Sequence, residues 1–161
     1  MALTPLKLYK GDADEELVET FAGFTDLAVV SAAEQASYYS ALTDIDNGVE
    51  TALPFVFLEG TPDLLDLTDP TTPLFVEAGT YAVSASILGD QLTPAGFAAV
   101  RIKVTGGAVV GSGQGVDPSA RFGAAATIVA AAGDSLQVAV FNGDGTDTRQ
   151  FRLNYVVIVK L

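Results

Sequence analysis

From Thr51 to the end of the chain, short apolar runs, several of them alternating at every second position, are broken by Gly, Pro and Asp turns every ~8–14 residues. A period of two suits a pleated strand with one buried face and suits no helix. It is cleanest where Tyr81, Val83, Ala85 and Ile87 alternate with Ala82, Ser84 and Ser86. It returns over 97–104, where Val100, Ile102 and Val104 face away from Arg101 and Lys103, and over 135–141, where Leu136, Val138 and Val140 share a face. Further strand-like runs fill 53–58, 64–67, 74–77, 121–131 and 151–161. Turn residues separate these runs at 59–62, 69–73, Ala78-Gly79, Gly106-Gly107, Gly133-Asp134 and 142–147, and 111–118 reads as a flexible glycine-rich loop. Roughly eight strands, with no strand–helix alternation, predict an all-β antiparallel sandwich or jelly roll.

The first 48 residues read differently. Asp12 and Glu15 are spaced to cap a short helix carrying Leu17, Phe21 and Phe24. Ser31-Ala32-Ala33-Glu34 has capping-box spacing ahead of 35–42, and a first strand through 27–31 competes with that helix. Asp46-Asn47-Gly48 is a turn. The expected organisation is an irregular or partly helical N-terminal arm over 1–25 and a jelly-roll domain over 26–161.

Composition narrows the chemistry. Cysteine, histidine and tryptophan are all absent, which removes disulfides, thiolate nucleophiles and the commonest general base and zinc ligand. A Ser-His-Asp machine is impossible. A carboxylate-based hydrolase would need two paired carboxylates in a cleft, and no pair can be nominated. The chain is therefore read as no enzyme, with no cofactor and no metal. Sixteen of the twenty acidic residues lie before residue 91 with only two lysines beside them, and six of the eight basic residues lie after it. Nucleic acid is a poor match for that acidic first half, which has no clustered Lys or Arg. Solubility explains a net charge of −12, and a partner or sister subunit against the milder second half is the alternative. The longest apolar run, 122–132, contains six alanines and is too short to span a bilayer. No signal-peptide pattern follows Met1, so synthesis in a cytoplasm without export and without a membrane partner is expected. A mean hydropathy of +0.38 hints at apolar surface buried between subunits.

Three segments in order carry a resemblance: Leu74-Phe-Val-Glu-Ala-Gly-Thr-Tyr-Ala-Val-Ser-Ala, Ala132-Gly-Asp-Ser-Leu-Gln-Val-Ala-Val, and Phe151-Arg-Leu-Asn-Tyr-Val-Val-Ile-Val-Lys-Leu. Together, over about residues 50–161, they resemble the trimeric jelly rolls of the tumour-necrosis-factor and complement-globular-head superfamily. There an aromatic strand start follows a Pro/Glu-x-Gly-x-Tyr turn, a Gly-Asp turn precedes a core strand, and the last strand runs through the trimer centre. The terminal strand departs from the family's Phe-x-Gly-x-Leu by reading Phe151-Arg152-Leu153-Asn154-Tyr155. Such modules occur in animal signalling ligands, bacterial surface proteins, and bacteriophage decoration proteins and fibres. Acidic character, Ala/Gly/Thr-rich strands and the absence of a collagen-like stalk are similar to a phage virion protein. The resemblance thus implies a homotrimeric capsid decoration protein that cements the outer surface of an assembled shell, with the major capsid protein as partner. The alternative is a receptor- or glycan-binding module of a phage fibre or bacterial surface protein, working through loops 111–120 and 142–148. A chain of this length starting at its own Met counts against that alternative.

Five candidate sites follow. Phe151, Leu153, Tyr155, Val157 and Val159 alternate on one face of the last strand while Val156, Ile158 and Leu161 lie elsewhere, so the strand is apolar on both sides. Burial by its own core and by a sister subunit fits this, which makes the five the expected trimer interface; a central strand of a monomer fits as well. Leu3, Leu6, Leu8, Tyr9, Leu17 and Phe21 are the expected capsid-binding residues of the arm. Asn142-Gly143-Asp144-Gly145-Thr146-Asp147 offers alternating oxygen ligands, as a calcium loop does, but lacks the terminal Glu and also suits a plain turn. Gly111-Ser112-Gly113-Gln114-Gly115 lacks the Lys-Ser/Thr of a phosphate cradle and reads as a surface loop. Arg101 and Lys103 form a polar stripe that suits a partner carboxylate or mere solubility.

Overall fold

Strands and turns make up the structure, a computed structural model that describes residues 6–10, 16–21, 34–90, 96–115, 121–145 and 147–161, the first two segments as backbone. The chain divides into two compact units, Met1–Ala32 and Ala33–Leu161. In the first, β1 (Leu6–Lys10) and β2 (Glu16–Phe21) form an antiparallel hairpin. The capped helix expected from Asp12 is therefore replaced by a strand. Val18 and Thr20 are β-branched, and the alternation of Leu17, Glu19 and Phe21 with them suits a pleated ribbon.

The second unit holds β3 (Gln35–Tyr39), β4 (Thr43–Ile45), β5 (Glu50–Ala52), β6 (Val56–Gly60), β7 (Leu65–Asp66), β8 (Leu74–Phe75), β9 (Gly79–Gly89), β10 (Phe97–Val104), β11 (Ala108–Gly115), β12 (Arg121–Ala130), β13 (Leu136–Gly143) and β14 (Arg149–Lys160). One sheet runs β11-β10-β13-β5; the other runs β12-β9-β14-β3-β6, with β4 added beside the start of β14. Strands β7 and β8 form a separate ribbon. Every pairing in these sheets is antiparallel. After β9 each connection crosses from one sheet to the other except the β10–β11 hairpin, which gives an antiparallel jelly-roll sandwich as the alternation predicts.

Two local readings change. The capping-box helix over 35–42 is overturned, because β3 is held between β14 and β6 and places Ala36 and Tyr38 in the core. Pairing on both sides outweighs a local helix signal whose first residues, 31–33, lie with the competing 27–31 strand outside the described segments. The apolar run 53–58 is the connection from β5 followed by the start of β6. Pro54 has no amide to give a ladder, and here the chain leaves the four-stranded sheet, with Leu53 and Phe55 both buried.

Inward-facing residues of the two sheets form one core. Tyr81, Val83, Ala85 and Ile87 enter from β9, Val100 and Ile102 from β10, Leu136, Val138 and Val140 from β13. Aromatic pairs fill the ends: Phe75 lies 4.5 Å from Tyr81, Tyr38 5.6 Å from Phe55, and Phe122 6.3 Å from Phe151 between ring centres. Burying each such side chain contributes about 1.5–3 kcal/mol. The Tyr38 hydroxyl is enclosed with no hydrogen-bond partner among the described residues, and burial pushes its pKa up to about 12.

Glycines close the sandwich along β11 and β12. A Cβ on Gly113 would lie 1.8 Å from the Gly123 carbonyl oxygen, and one on Gly111 would lie 2.7 Å from that of Ala125. Facing sheets ordinarily stand ~10 Å apart, so only residues without side chains permit this backbone contact. Gly111–Gly115 is accordingly strand, paired with β10, and the expected flexible loop there is corrected. Gly113→Ala is expected to lower stability by about 2–3 kcal/mol in urea unfolding, since the backbone of β12 cannot yield as a side chain can. An unchanged urea midpoint would contradict so close an approach.

Candidate interaction face

The outer face of the six-stranded sheet is built by period-two alternation on β9, β12 and β14. Across these strands the register aligns Thr127, Ala82 and Val159 in one row, Ala125, Ser84 and Val157 in the next, Gly123, Ser86 and Tyr155 in a third, and Arg121, Leu88 and Arg152 in the fourth. The first three rows carry no charge. Beyond β14, Tyr39 and Val56 stand opposite one another on β3 and β6 and are both exposed. At the other edge Val129 is 83% exposed, far more than a side chain with a role in its own core. Uncharged, part-apolar surface on this scale is unusual in a chain that presents itself to water alone.

Strand β14 supplies the centre of this face through one irregularity. Its register with β9 shifts between Leu153 and Tyr155, a β-bulge at Asn154. Before the bulge Phe151 and Leu153 point into the core; after it Val156 and Ile158 do. The five residues expected on one face are therefore split: Phe151 and Leu153 are core, and only Tyr155, Val157 and Val159 face outward. A shallow trough of about 430 Å³ lies over Val157, Val159, Ala82, Ser84, Ala125 and Thr127. A second, of about 560 Å³, lies over Tyr155, Ser84, Ser86 and Gly123 and reaches Ser112. Both are wide and open, which suits a broad macromolecular surface better than an enclosed small molecule.

Charges are held at the margins. At one end Lys160 sits between Glu77 and Glu34, 3.2 Å from the latter, and its pKa is raised first by Glu77 and then by Glu34. Tyr81 below it donates its hydroxyl to the Glu77 carbonyl at 2.7 Å. On the opposite sheet Arg101 and Lys103 both engage the Glu50 carboxylate, reaching across β13. The carboxylate expected from a partner is thus supplied by the chain itself. Burial raises the Glu50 pKa, but hydrogen bonds and charge from Lys103 and Arg101 outweigh it and hold the group below its ordinary value.

The 142–147 segment is a polar knot. Asn142, fully buried, donates its side-chain amide to the carbonyls of Ile45 (2.8 Å) and Asp147 (2.9 Å), and its side-chain oxygen accepts from the Asp144 amide at 3.0 Å. The Asp144 carboxylate, also buried, is paired with Arg149 at 2.8 Å. Asn47 accepts from the Gly145 amide at 2.9 Å, and Thr148 donates to Asp46 at 2.6 Å. These oxygens are committed to the fold, so the turn reading replaces the calcium reading. Among the described residues no cluster of three or more acidic side chains is arranged to hold a metal, and no helix is long and apolar enough to cross a membrane.

The arm residues are placed as backbone only. Leu6, Leu8 and Tyr9 lie on β1 and Leu17 and Phe21 on β2, with Leu6 opposite Phe21 and Tyr9 opposite Leu17; Leu3 lies outside the described segments. Sequence reasoning missed Tyr39, Val56, Val129 and the small residues of β9 and β12. The one available signal was that Ala82, Ser84 and Ser86, the solvent-side set of a clean strand, contain no charge.

No protein-family model matches the chain, and no curated protein matches it by sequence. Solved structures do. The chain is similar to Eiger TNF from S. frugiperda with a TM-score of 0.59 at 16% identity, over 80% of this chain and 92% of that one. It is similar to murine APRIL with a TM-score of 0.56 at 13% identity (79% and 99% covered), and to the globular domain of zebrafish complement 1qA protein with a TM-score of 0.57 at 14% identity (80% and 97% covered). At these identities the likeness establishes the fold, a jelly roll of the tumour-necrosis-factor and C1q type.

The Glu50 cluster has a pH signature. Because its folded pKa is lowered, the stability it contributes is full above the unfolded value of 4.5 and is lost as pH falls through the folded value. Glu50→Gln is expected to cost about 1 kcal/mol at neutral pH, the scale of a part-exposed ion pair. In thermal unfolding across pH the gap to wild type should narrow as pH falls below 4.5, and a gap that stays constant would contradict the ion-pair origin.

Proposed function

We propose that this chain is a homotrimeric binding module, and specifically a capsid decoration protein: a virion structural protein, made in the host cytoplasm, that sits on the outer surface of an assembled phage shell and binds the major capsid protein. The observation that carries the reading is the uncharged outer face of β12, β9 and β14, with Tyr155, Val157 and Val159 at its centre. A surface of this kind is hidden when a sister copy covers it, and the fold is one whose last strand, by resemblance, lies at a threefold centre. Support for a mechanical rather than chemical task comes from composition, which includes no His and no Cys. Further support comes from the division into two units, because a hairpin-bearing N-terminal unit separate from the jelly roll supplies a second attachment point. Three copies joined at one axis would each bring such a point. Linked weak contacts gain through effective concentration, and binding only the assembled shell stabilises that state by mass action. The loop-based receptor or glycan reading loses support, since Gly111–Gly115 is paired strand and 142–148 is knotted to 45–49.

Light scattering after size-exclusion chromatography is expected to report three times the 16.6 kDa of one chain at micromolar concentration. A stable single-chain species would overturn the trimer. Deleting residues 1–25 is expected to leave the trimer intact but to lower occupancy in co-sedimentation with shells by about tenfold or more, the usual scale for loss of a linked contact. Full occupancy by the truncated protein would remove the arm from the mechanism.

A further inference from the structure

Among the described residues, Arg121 and Arg152 have no counter-charge. Among the described residues, Arg101 and Lys103 are paired with Glu50, Arg149 with Asp144 and Asp147, and Lys160 with Glu77 and Glu34. Arg121 and Arg152 are both exposed and belong to no ion pair. They are also not scattered. Leu88 stands between them in one row across β12, β9 and β14, so the two positions lie about two strand spacings, ~10 Å, apart. That row continues the uncharged rows of Tyr155 and Val157 on the same outer face.

An opposite charge stands at the far side of this face. Ala125, Ser84 and Val157 continue through Ser37 on β3 to Glu59 on β6. Glu59 is exposed, lies on the edge strand of the same sheet, and is joined to no cation among the described residues. One edge of the sheet therefore ends in Arg121 and the other in Glu59. An edge contact about a two-fold axis would set one edge of the sheet against the same edge of its copy, whereas a head-to-tail contact that closes into a ring sets one edge against the other. Covering two unpaired guanidinium groups with apolar surface would be strongly unfavourable, so whatever covers this face must bring carboxylates. A chain with twenty acidic and eight basic residues is itself such a surface.

We propose that Arg121 and Arg152 are the ion-pairing points of the contact between copies, and that the carboxylate received by Arg121 is Glu59 of a second copy. This rests on the trimer reading and adds to it a direction, edge to edge and head to tail. The charges fix which surfaces meet, while the uncharged rows supply the area.

The test is the solution mass and the dissociation constant of full-length variants. Arg121→Glu with Arg152→Glu is expected to raise the dissociation constant of the trimer by about tenfold or more while the far-ultraviolet circular dichroism stays that of wild type. Adding Glu59→Arg to Arg121→Glu is expected to restore assembly by reversing the pair. Unchanged assembly of the double arginine variant overturns the proposal, and so does failure of Glu59→Arg to restore it. Loss of shell binding with assembly intact overturns it too and assigns the arginines to the shell instead. If the variants fail to fold, wild type decides: its dissociation constant is expected to rise between about 0.05 M and about 0.5 M salt, and a constant that stays level or falls overturns the ion pairs. A wild-type single chain sinks the trimer itself, an outcome separate from all of these.

Discussion

Strand β14 is bonded along its length to β9 on one side and to β4 and then β3 on the other, so it cannot shift without opening the six-stranded sheet. With its position locked, the bulge at Asn154 becomes decisive. A strand that kept strict alternation from Phe151 would send Tyr155, Val157 and Val159 into the core and turn Val156 and Ile158 outward. One extra residue reverses that assignment halfway along. The core receives two large pairs, Phe151 with Leu153 and Val156 with Ile158, and the surface receives Tyr155 and two valines. The neighbouring strands conform to this arrangement. On β9 and β12 the outward positions beside the valines are Ala82, Ser84, Ala125 and Thr127, small enough to leave the face flat. The glycine contact between β11 and β12 then draws the two sheets together at the edge where that face ends.

Most of the described cations are held in ion pairs within the chain. Glu50 sits beneath two cations, Lys160 between two carboxylates, and Arg149 between Asp144 and Asp147. Each arrangement sets two charges against one and so keeps a single unit of net charge. The buried knot around Asn142 belongs to the same economy of contacts. Its amide bonds reach from the end of β13 to the 45–49 turn and to the approach of β14, joining both sheets at one end of the sandwich. Every one of those donors and acceptors would be left unsatisfied if the turn opened, which makes the knot a structural clamp.

Much of the sandwich was legible in the residues because alternation on β9, β10 and β13 matches burial position by position. The failures have specific physical causes. Ser31 to Glu34 and Asp12 to Glu15 carry real capping signals, but helix caps are local and the pairing of β3 with β14 and β6 is not visible in a local window. Gly111 to Gly115 looks like a loop because glycine is the usual mark of one; the same residue type is needed where two backbones touch, and spacing alone does not separate the uses. Arg101 and Lys103 were recognised as a charged stripe, but Glu50 lies some fifty positions earlier in the chain, at a separation no motif encodes. The last strand is apolar on both sides as its residues indicate, and its facing was misassigned at Asn154, because a bulge leaves no composition signal when the inserted residue is polar and its neighbours are uniformly apolar.

Small residues on the outer face also constrain how strongly any one contact can bind. An alanine or serine buries little apolar area, and at ~25 cal/mol per Å² a face of such residues contributes modestly compared with one of leucines and phenylalanines. Association must also overcome lost rigid-body freedom and immobilised side chains. A pairwise contact through this face alone would therefore be weak, and a ring closes that gap, since the last copy to join makes two contacts while losing its freedom only once. Closure in turn requires that the two contacting surfaces differ and sit at a fixed angle. A flat uncharged face has no feature to set that angle, since small side chains slide over one another at little cost. Directional charges at the two edges of the sheet can set it. In the proposed trimer the arginine row and the far-edge glutamate would act less as a source of affinity than as the registration that lets three weak apolar contacts form together.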